Sequence, residues 1–197
     1  MSDSPVRVRS ASDIPWADLQ LVFATPGDPR TCWCQYFKLP GATFDATEVD
    51  ELASSLHRQV RRADPSPGLV AYVDDEPAGW VSVEPRVDFP RLLRSRVVTA
   101  GSTDARDDPS VWAIPCFVVR PGFRRRGVSR ALLAAAVEHA RAGGARVVEG
   151  YPVDVAERPD VSVATLYHGT RTAFEDAGFV ERARPLPARP VMTLTLE

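Results

Sequence analysis

Four arginines, a glycine and a serine crowd the run Arg124-Arg125-Arg126-Gly127-Val128-Ser129-Arg130, between an apolar stretch ending Phe117-Val118-Val119 and a segment of helical periodicity. Such a turn suits a polyanion. A helix start leaves its first amide donors unpaired and carries partial positive charge, so amides that converge there hold a phosphate. Gly127 lets the backbone approach the ligand, and Ser129 adds a hydroxyl donor. Arg124, Arg125, Arg126 and Arg130 concentrate the charge that a pyrophosphate or ribose phosphate needs.

Other reactive residue types are sparser. Cys32-Trp33-Cys34 supplies half of a tetrahedral thiolate set, and His57, His139 and His168 show no ligand spacing with it, so no metal is expected. Cys116 is a free thiol within an apolar run, where a small buried residue is the plain expectation and a nucleophile the sharper one. A P-loop Gly-Lys-Ser/Thr is absent, as is a Gly-x-Gly-x-x-Gly after an early strand, which argues against a nucleotide-binding protein.

The elements that position these residues can be read from periodicity. Arg7 to Ser10 predicts a first strand, and Ser12 or Asp13 a helix cap with Pro15 in the first turn. The turn formers Thr25 to Pro29 end that helix. Asp45 and Glu48 resemble a capping box for a second helix carrying Val49, Leu52, Leu56 and Val60. Leu69 to Val73 and Gly79 to Val83 predict an antiparallel pair, while Arg86 to Ser110 lacks periodicity and reads as mostly loop with a short helix. Val111 to Val119 is a long apolar strand in which Pro115 marks a place where pairing opens. A long helix from about Gly127 to Gly143-Gly144 follows, then a strand over Ala145 to Val153. Ala164 to Asp176 reads as helix, and Phe179 to Arg182 and Val191 to Leu196 as closing strands.

The segment Val119-Arg120-Pro121 through Arg124-x-x-Gly127-x-Ser129 resembles the acetyl-CoA-binding motif of the GNAT acetyltransferase family, Gln/Arg-x-x-Gly-x-Gly/Ala after a strand ending Val-x-Pro. Ser129 departs conservatively from Gly/Ala, and Arg125 stands where many members have a further glycine. The element order is similar over nearly the whole chain. The resemblance implies an α/β (α+β) fold: a GNAT-like mixed, mostly antiparallel central sheet with splayed fourth and fifth strands and flanking helices. It implies acetyl-CoA as acyl donor, with Val128 in the phosphate turn and Phe117, Val118 and Val119 bonding the pantetheine arm as a pseudo-strand.

For catalysis, the family's usual acid is a tyrosine in Tyr-x-x-x-Gly-Phe, but Phe174-Glu175-Asp176-Ala177-Gly178-Phe179 stands here without it. Tyr167, two turns earlier on a continuous helix, is the substitute acid, with packing as its plain alternative. Glu84, following Trp80 to Val83, is the candidate base. The position that holds a glutamate in some members is Ala113 here. Trp33 and Tyr36, with Gln35 and Phe37, fall where the family forms a wall of the acceptor site; core packing is the alternative. The sequence also resembles a subgroup of small bacterial acetyltransferase-like proteins with a similar Cys-Trp-Cys segment and a Pro-Val-Asp after the fifth strand, here Pro152-Val153-Asp154.

Composition bounds the rest. The 197 residues, 44% hydrophobic and 25% charged, make one domain, 1–197. A net charge of -2 argues against a nucleic-acid or membrane partner, and no run approaches the roughly 18 to 20 apolar residues of a membrane span. Met1 to Val8 has no signal-peptide core, so a cytoplasmic protein is expected. The single lysine, Lys38, reads as compositional bias. These features predict N-acetyl transfer to a primary amine of a small molecule, with a catalytically silent CoA-binding module as the alternative; a homodimer is allowed for.

Overall fold

The computed structural model describes residues 5–160 and 162–197; of the expected signal-free segment Met1 to Val8, the first four residues lie outside the described residues. One seven-stranded sheet organises the chain in the order β1-β2-β3-β4-β5-β7-β6, where β1 is Arg7–Ser10, β2 Gly68–Val73, β3 Glu76–Pro85, β4 Val111–Val119, β5 Val147–Gly150, β6 Val180–Leu186 and β7 Arg189–Thr195. Every neighbouring pair is antiparallel except β4 with β5, which is the mixed, mostly antiparallel sheet expected.

The helices in chain order are α1 (Trp16–Phe23), α2 (Pro29–Cys32), α3 (Gly41–Asp45), α4 (Val49–Arg62), α5 (Pro90–Leu93), α6 (Arg96–Gly101), α7 (Val128–Ala142) and α8 (Arg171–Asp176). Leu132, Leu133, Ala136, Val137 and Ala140 of α7 recur at helical spacing and bury against Ala71, Val81, Val83 and Ile114 on one sheet face. On the opposite face Leu19, Val22 and Phe23 of α1 and Leu56 and Val60 of α4 close over Val70, Trp80, Cys116 and Val118. Alternate residues of β3 and β4 thus serve different cores, as the twofold period of a strand requires.

Four local expectations are corrected. The capping box does not form: Asp45 ends α3, and Glu48 precedes α4 with no side-chain cap bond. Extended backbone at Glu48 (φ -64, ψ 148) separates the two helices. The first helix begins at Trp16, because Ala11–Asp13 forms a 3-10 turn that uses up the expected cap residues. The segment 86–110 is more ordered than read: a 3-10 turn at Arg86–Asp88 leads into α5 and α6, and Ser95 Oγ caps α6 by accepting from the Val98 amide at 3.3 Å. Leu92, Val97 and Val98 pack there against Ala113, Tyr151 and Val191.

The fourth correction reaches the site. The helix expected over Ala164 to Asp176 is broken into a 3-10 segment, Val163–His168, and α8, at Gly169 with φ 77. The break is fixed by backbone pairing: the Val153 amide donates to Gly169 O at 3.0 Å and the Arg171 amide to Val153 O at 2.9 Å. A Cβ at residue 169 would stand 2.9 Å from the Phe174 ring.

The central parting is where the proline predicts it. β4 and β5 pair from Val111 with Val147 to Ile114 with Gly150 and no further, so Pro115 is the first β4 residue without a β5 partner. On its other side β4 stays paired to β3, with a register shift in which Ser82 faces Cys116 and Glu84 faces Ala113. The extra residue lies in β4, beside the proline that has no amide to donate.

Candidate active site

Gly127 is the cap residue of α7 and adopts φ 75, a left-handed conformation that costs other residues strain. Arg125 also has positive φ, 62. The start of α7, whose first amides have no partner within the helix, lies on a cleft of about 650 Å³. Phe117, Val118, Val119, Arg124, Arg125, Gly127, Val128, Ser129 and Arg130 all line it. Arg126 does not. The reversal at Arg125 and Gly127 points it the other way, with Nη2 3.2 Å from Asp74 Oδ2 in the β2–β3 turn. Arg130 is held 2.7 Å from Asp176, and Arg124 Nε donates to Val119 O at 3.4 Å.

The cleft continues along the unpaired edge of β4. Phe117, Val118 and Val119 pair with Val81, Trp80 and Gly79 on the β3 side and, among the described residues, have no strand on the other. Thr25 to Pro29, Leu166, Tyr167, Thr170, Ala173 and Phe174 complete the wall. The sequence offered Thr25 to Pro29 only as turn formers, and no local signal distinguishes a turn that faces a cleft from one that faces water.

Tyr167 reaches the cleft without the continuous helix assumed for it. Burial, then the neighbouring Cys116, raises its hydroxyl to about 12, so the proton stays on at neutral pH. Its neighbour His168 is buried; burial, reinforced by Arg189, lowers its pKa to about 3. The neutral ring donates from Nδ1 to Pro115 O at 3.0 Å, which satisfies the carbonyl exposed by the parting. Phe174, at the position of the family's usual tyrosine, is fully buried and sits edge-on to Phe117 at 6.2 Å and to Phe179 at 4.9 Å.

Glu84 is not a cleft residue. It lies at the β3–β4 register shift, buried, with Lys38 Nζ 2.7 Å from Oε1. Burial raises its pKa to about 7 against the opposing pull of Lys38. Lys38 also donates to Gln59 Oε1 at 3.1 Å, and Gln59 in turn exchanges bonds with Gln35. The lone lysine that read as compositional bias is therefore the counterion of the candidate base.

Trp33 is taken up by the core. Its backbone is left-handed (φ 44) and its ring stacks on Phe23 at 5.0 Å and Trp16 at 5.8 Å. Tyr36 stays at the surface beneath the Arg91 guanidinium, 3.8 Å from the ring centre, and edge-on to Phe37. Of the two acceptor-wall candidates, Trp33 is thus partly buried against the core and Tyr36 is exposed. Cys34 accepts from Trp80 Nε1 at 3.3 Å; donation from Cys116 contributes most to lowering its pKa to about 7, while the Cys116 thiol is pushed up and is a poor nucleophile. Among the described residues, no three His, Cys, Asp or Glu side chains gather as a metal site, and no helix is long and apolar enough to cross a membrane.

A family model described as acetyltransferase (GNAT) family matches residues 31–161. The sequence has no match among curated proteins. Similar solved structures include a ribosomal-protein-alanine N-acetyltransferase from Brucella melitensis, 18% identical, with 96% of this chain and 99% of that one covered and a TM-score of 0.57. The PaiA N-acetyltransferase from Thermoplasma acidophilum, solved in complex with coenzyme A, is 12% identical over 98% of this chain and 99% of that one, with a TM-score of 0.54. A GNAT-family acetyltransferase from Streptococcus pneumoniae is 15% identical over 98% and 100%, with a TM-score of 0.55. At these identities the likeness is one of fold.

Proposed function

This chain belongs to the acetyltransferase (GNAT) family, and from that premise we propose that it moves an acetyl group from acetyl-CoA to a primary amine of a small molecule by direct attack. The observation that carries the proposal is the shared cleft: a phosphate-binding helix start, an unpaired strand edge and a protonated tyrosine face one space. Acetyl-CoA is a substrate here and supplies the acyl group, its C–S bond breaking as the amine forms a C–N bond. The amides at the start of α7, with Arg124, Arg125, Ser129 and Arg130, hold the pyrophosphate, and the free edge of Phe117 to Val119 bonds the pantetheine amides.

Two protons must move. The attacking amine loses one, and Glu84, with a pKa raised to about 7, accepts it through water. The departing thiolate gains one, and Tyr167 is placed on the cleft wall to donate it. Tyr36 borders the acceptor side; the Cys32-Trp33-Cys34 resemblance to a bacterial subgroup belongs to this reading. The test is thiol release from acetyl-CoA across a panel of primary amines. Turnover with at least one amine is expected, whereas tight coenzyme binding with no release over every amine would overturn the proposal.

The buried Phe174 favours a second reading. Without a hydroxyl at that position, a CoA-binding module that performs no chemistry is the alternative. It predicts coenzyme affinity unaffected by Tyr167→Phe and no acetylated product with any amine.

A further inference from the structure

The chain neutralises most of the cations that it draws out of water. Lys38 faces Glu84, Arg86 faces Glu149, and Arg184 faces both Asp154 and Glu181. Arg189 is different. It is half-buried, yet no carboxylate among the described residues lies within ion-pair distance of it. Of its five N–H donors, only those on Nη2 have an acceptor among the described residues, Tyr151 O at 3.0 Å, while Nε is buried with none there. An unpaired cation held away from water is costly unless something else meets it.

Its position says where that partner arrives. Tyr151 is the first residue beyond the paired part of β5, as Pro115 is beyond the paired part of β4. The two carbonyls bared by the parting are capped by Arg189 on one side and His168 on the other. Arg189 lies close enough to Tyr167 and His168 to act on the ionisation of both. A run of ring contacts leads onward: Tyr167 to His168 at 4.0 Å, His168 to Phe37 at 6.0 Å, Phe37 to Tyr36 at 5.0 Å. At its end Arg91 covers Tyr36, again with no carboxylate partner among the described residues and with Nη1 buried and unbonded. Neither arginine lines the phosphate-binding cleft.

We propose that the amine acceptor carries a carboxylate and that Arg189 binds it at the β4–β5 parting. A guanidinium pairs with a carboxylate through two parallel hydrogen bonds, which fixes orientation as well as supplying charge. The amine at the other end of such an acceptor is then aimed past Tyr167 toward the thioester. This substrate class rests on the acyl-transfer reading above, and the test separates the two.

Primary amines are compared in matched pairs that differ only in a free carboxylate against its carboxamide, such as β-alanine and its amide, across chain lengths. In the wild-type protein the carboxylate member is expected to have a kcat/KM at least about tenfold higher. That ratio is expected to fall toward one in Arg189→Gln and to be partly kept in Arg189→Lys, with acetyl-CoA affinity and melting temperature as the check on folding. The same pairs are titrated calorimetrically onto protein saturated with CoA. Binding of acids and not amides, with no turnover of either, would keep the anion site and sink acyl transfer. Amides turned over as fast as acids would keep acyl transfer and overturn this inference, as would failure of every acid both to bind and to react. The wild-type comparison decides the matter even where the Gln variant does not fold.

Discussion

Lys38 Nζ stands 2.7 Å from Oε1 and 2.6 Å from Oε2 of Glu84, with only 10% and 11% of the two side chains exposed. Burial and the ammonium pull the carboxyl in opposite directions, and burial wins, leaving the pKa at about 7 rather than 4.5. As the proposed base, Glu84 must be ionised, so kcat/KM is expected to fall as pH drops through about 7. Lys38→Met removes the influence that lowers the pKa, so the acid limb is expected to move to higher pH; a limb that stays put would remove Glu84 from the role. Because the folded pKa exceeds the unfolded one, the stability linked to Glu84 is fully present below about pH 4.5 and is lost as pH rises toward 7.

His168 titrates with the opposite sign. Its folded pKa of about 3 lies below the ordinary 6.5, so the unfolded chain binds the extra proton first. Stability is expected to be full above pH 6.5 and to fall by up to about 1.4 kcal/mol per pH unit toward pH 3. His168→Asn keeps a donor for Pro115 O and carries no titrating ring. Urea melts of the two proteins between pH 4 and 7 are expected to diverge steadily as pH falls; parallel curves would mean that the ring is not kept neutral by the fold.

Gly127→Asp tests the coenzyme site. Apart from its chain neighbours, a Cβ there meets no atom of the described residues within 4 Å, so crowding within the protein is small and the effect must come from strain at φ 75 and from an anion placed against a phosphate. CoA affinity is expected to drop by about a hundredfold or more, with a stability loss of only about 1 kcal/mol from the left-handed conformation. Unchanged affinity by calorimetry would put the coenzyme elsewhere.

Tyr167→Phe separates binding from chemistry. Among the described residues the hydroxyl has no hydrogen-bond partner, and its ring packs at the edge of the core, so the phenyl ring should keep the fold and the CoA affinity. If the hydroxyl is the proposed donor to the leaving thiolate, its loss is expected to cost about 10²-fold or more in kcat. Equal kcat in the two proteins would return Tyr167 to a packing role.

Arg86 and Glu149 form the deepest ion pair, at 3.0 Å with neither side chain exposed. Glu149 also accepts from Ser102 Oγ at 2.6 Å and from the Tyr151 hydroxyl at 2.7 Å, and Arg86 reaches Asp104 O at 3.1 Å. Arg86→Met strands a buried carboxylate and is expected to cost about 3–5 kcal/mol. Adding Glu149→Gln should recover part of that loss in denaturant melts; no recovery would mean that the arginine acts through its loop contacts alone.

Legibility followed distance along the chain. Pro115 marked the parting because a missing amide is a property of one residue, and the structure stops β5 pairing one residue before it. The capping box at Asp45 and Glu48 misled because extended backbone at Glu48 outweighed the pattern. The helix assumed through Gly169 failed because pairing with Val153, sixteen residues earlier along the chain, overrode local helical composition. Lys38 carried no signal at all until the fold set it against Glu84, 46 residues away.

The turn from Arg124 to Arg130 was determined by the sequence itself, because a helix start, a left-handed glycine and adjacent guanidinium groups are encoded in contiguous residues. Only the tertiary structure decided that Arg126 leaves that turn for Asp74, that Glu84 has a counterion, that His168 is neutral and that Arg189 has no carboxylate partner among the described residues. The reason is physical: backbone geometry answers to neighbours in the chain, whereas the charge state of a side chain answers to the water it has lost and the partner it has found, and both are set by packing.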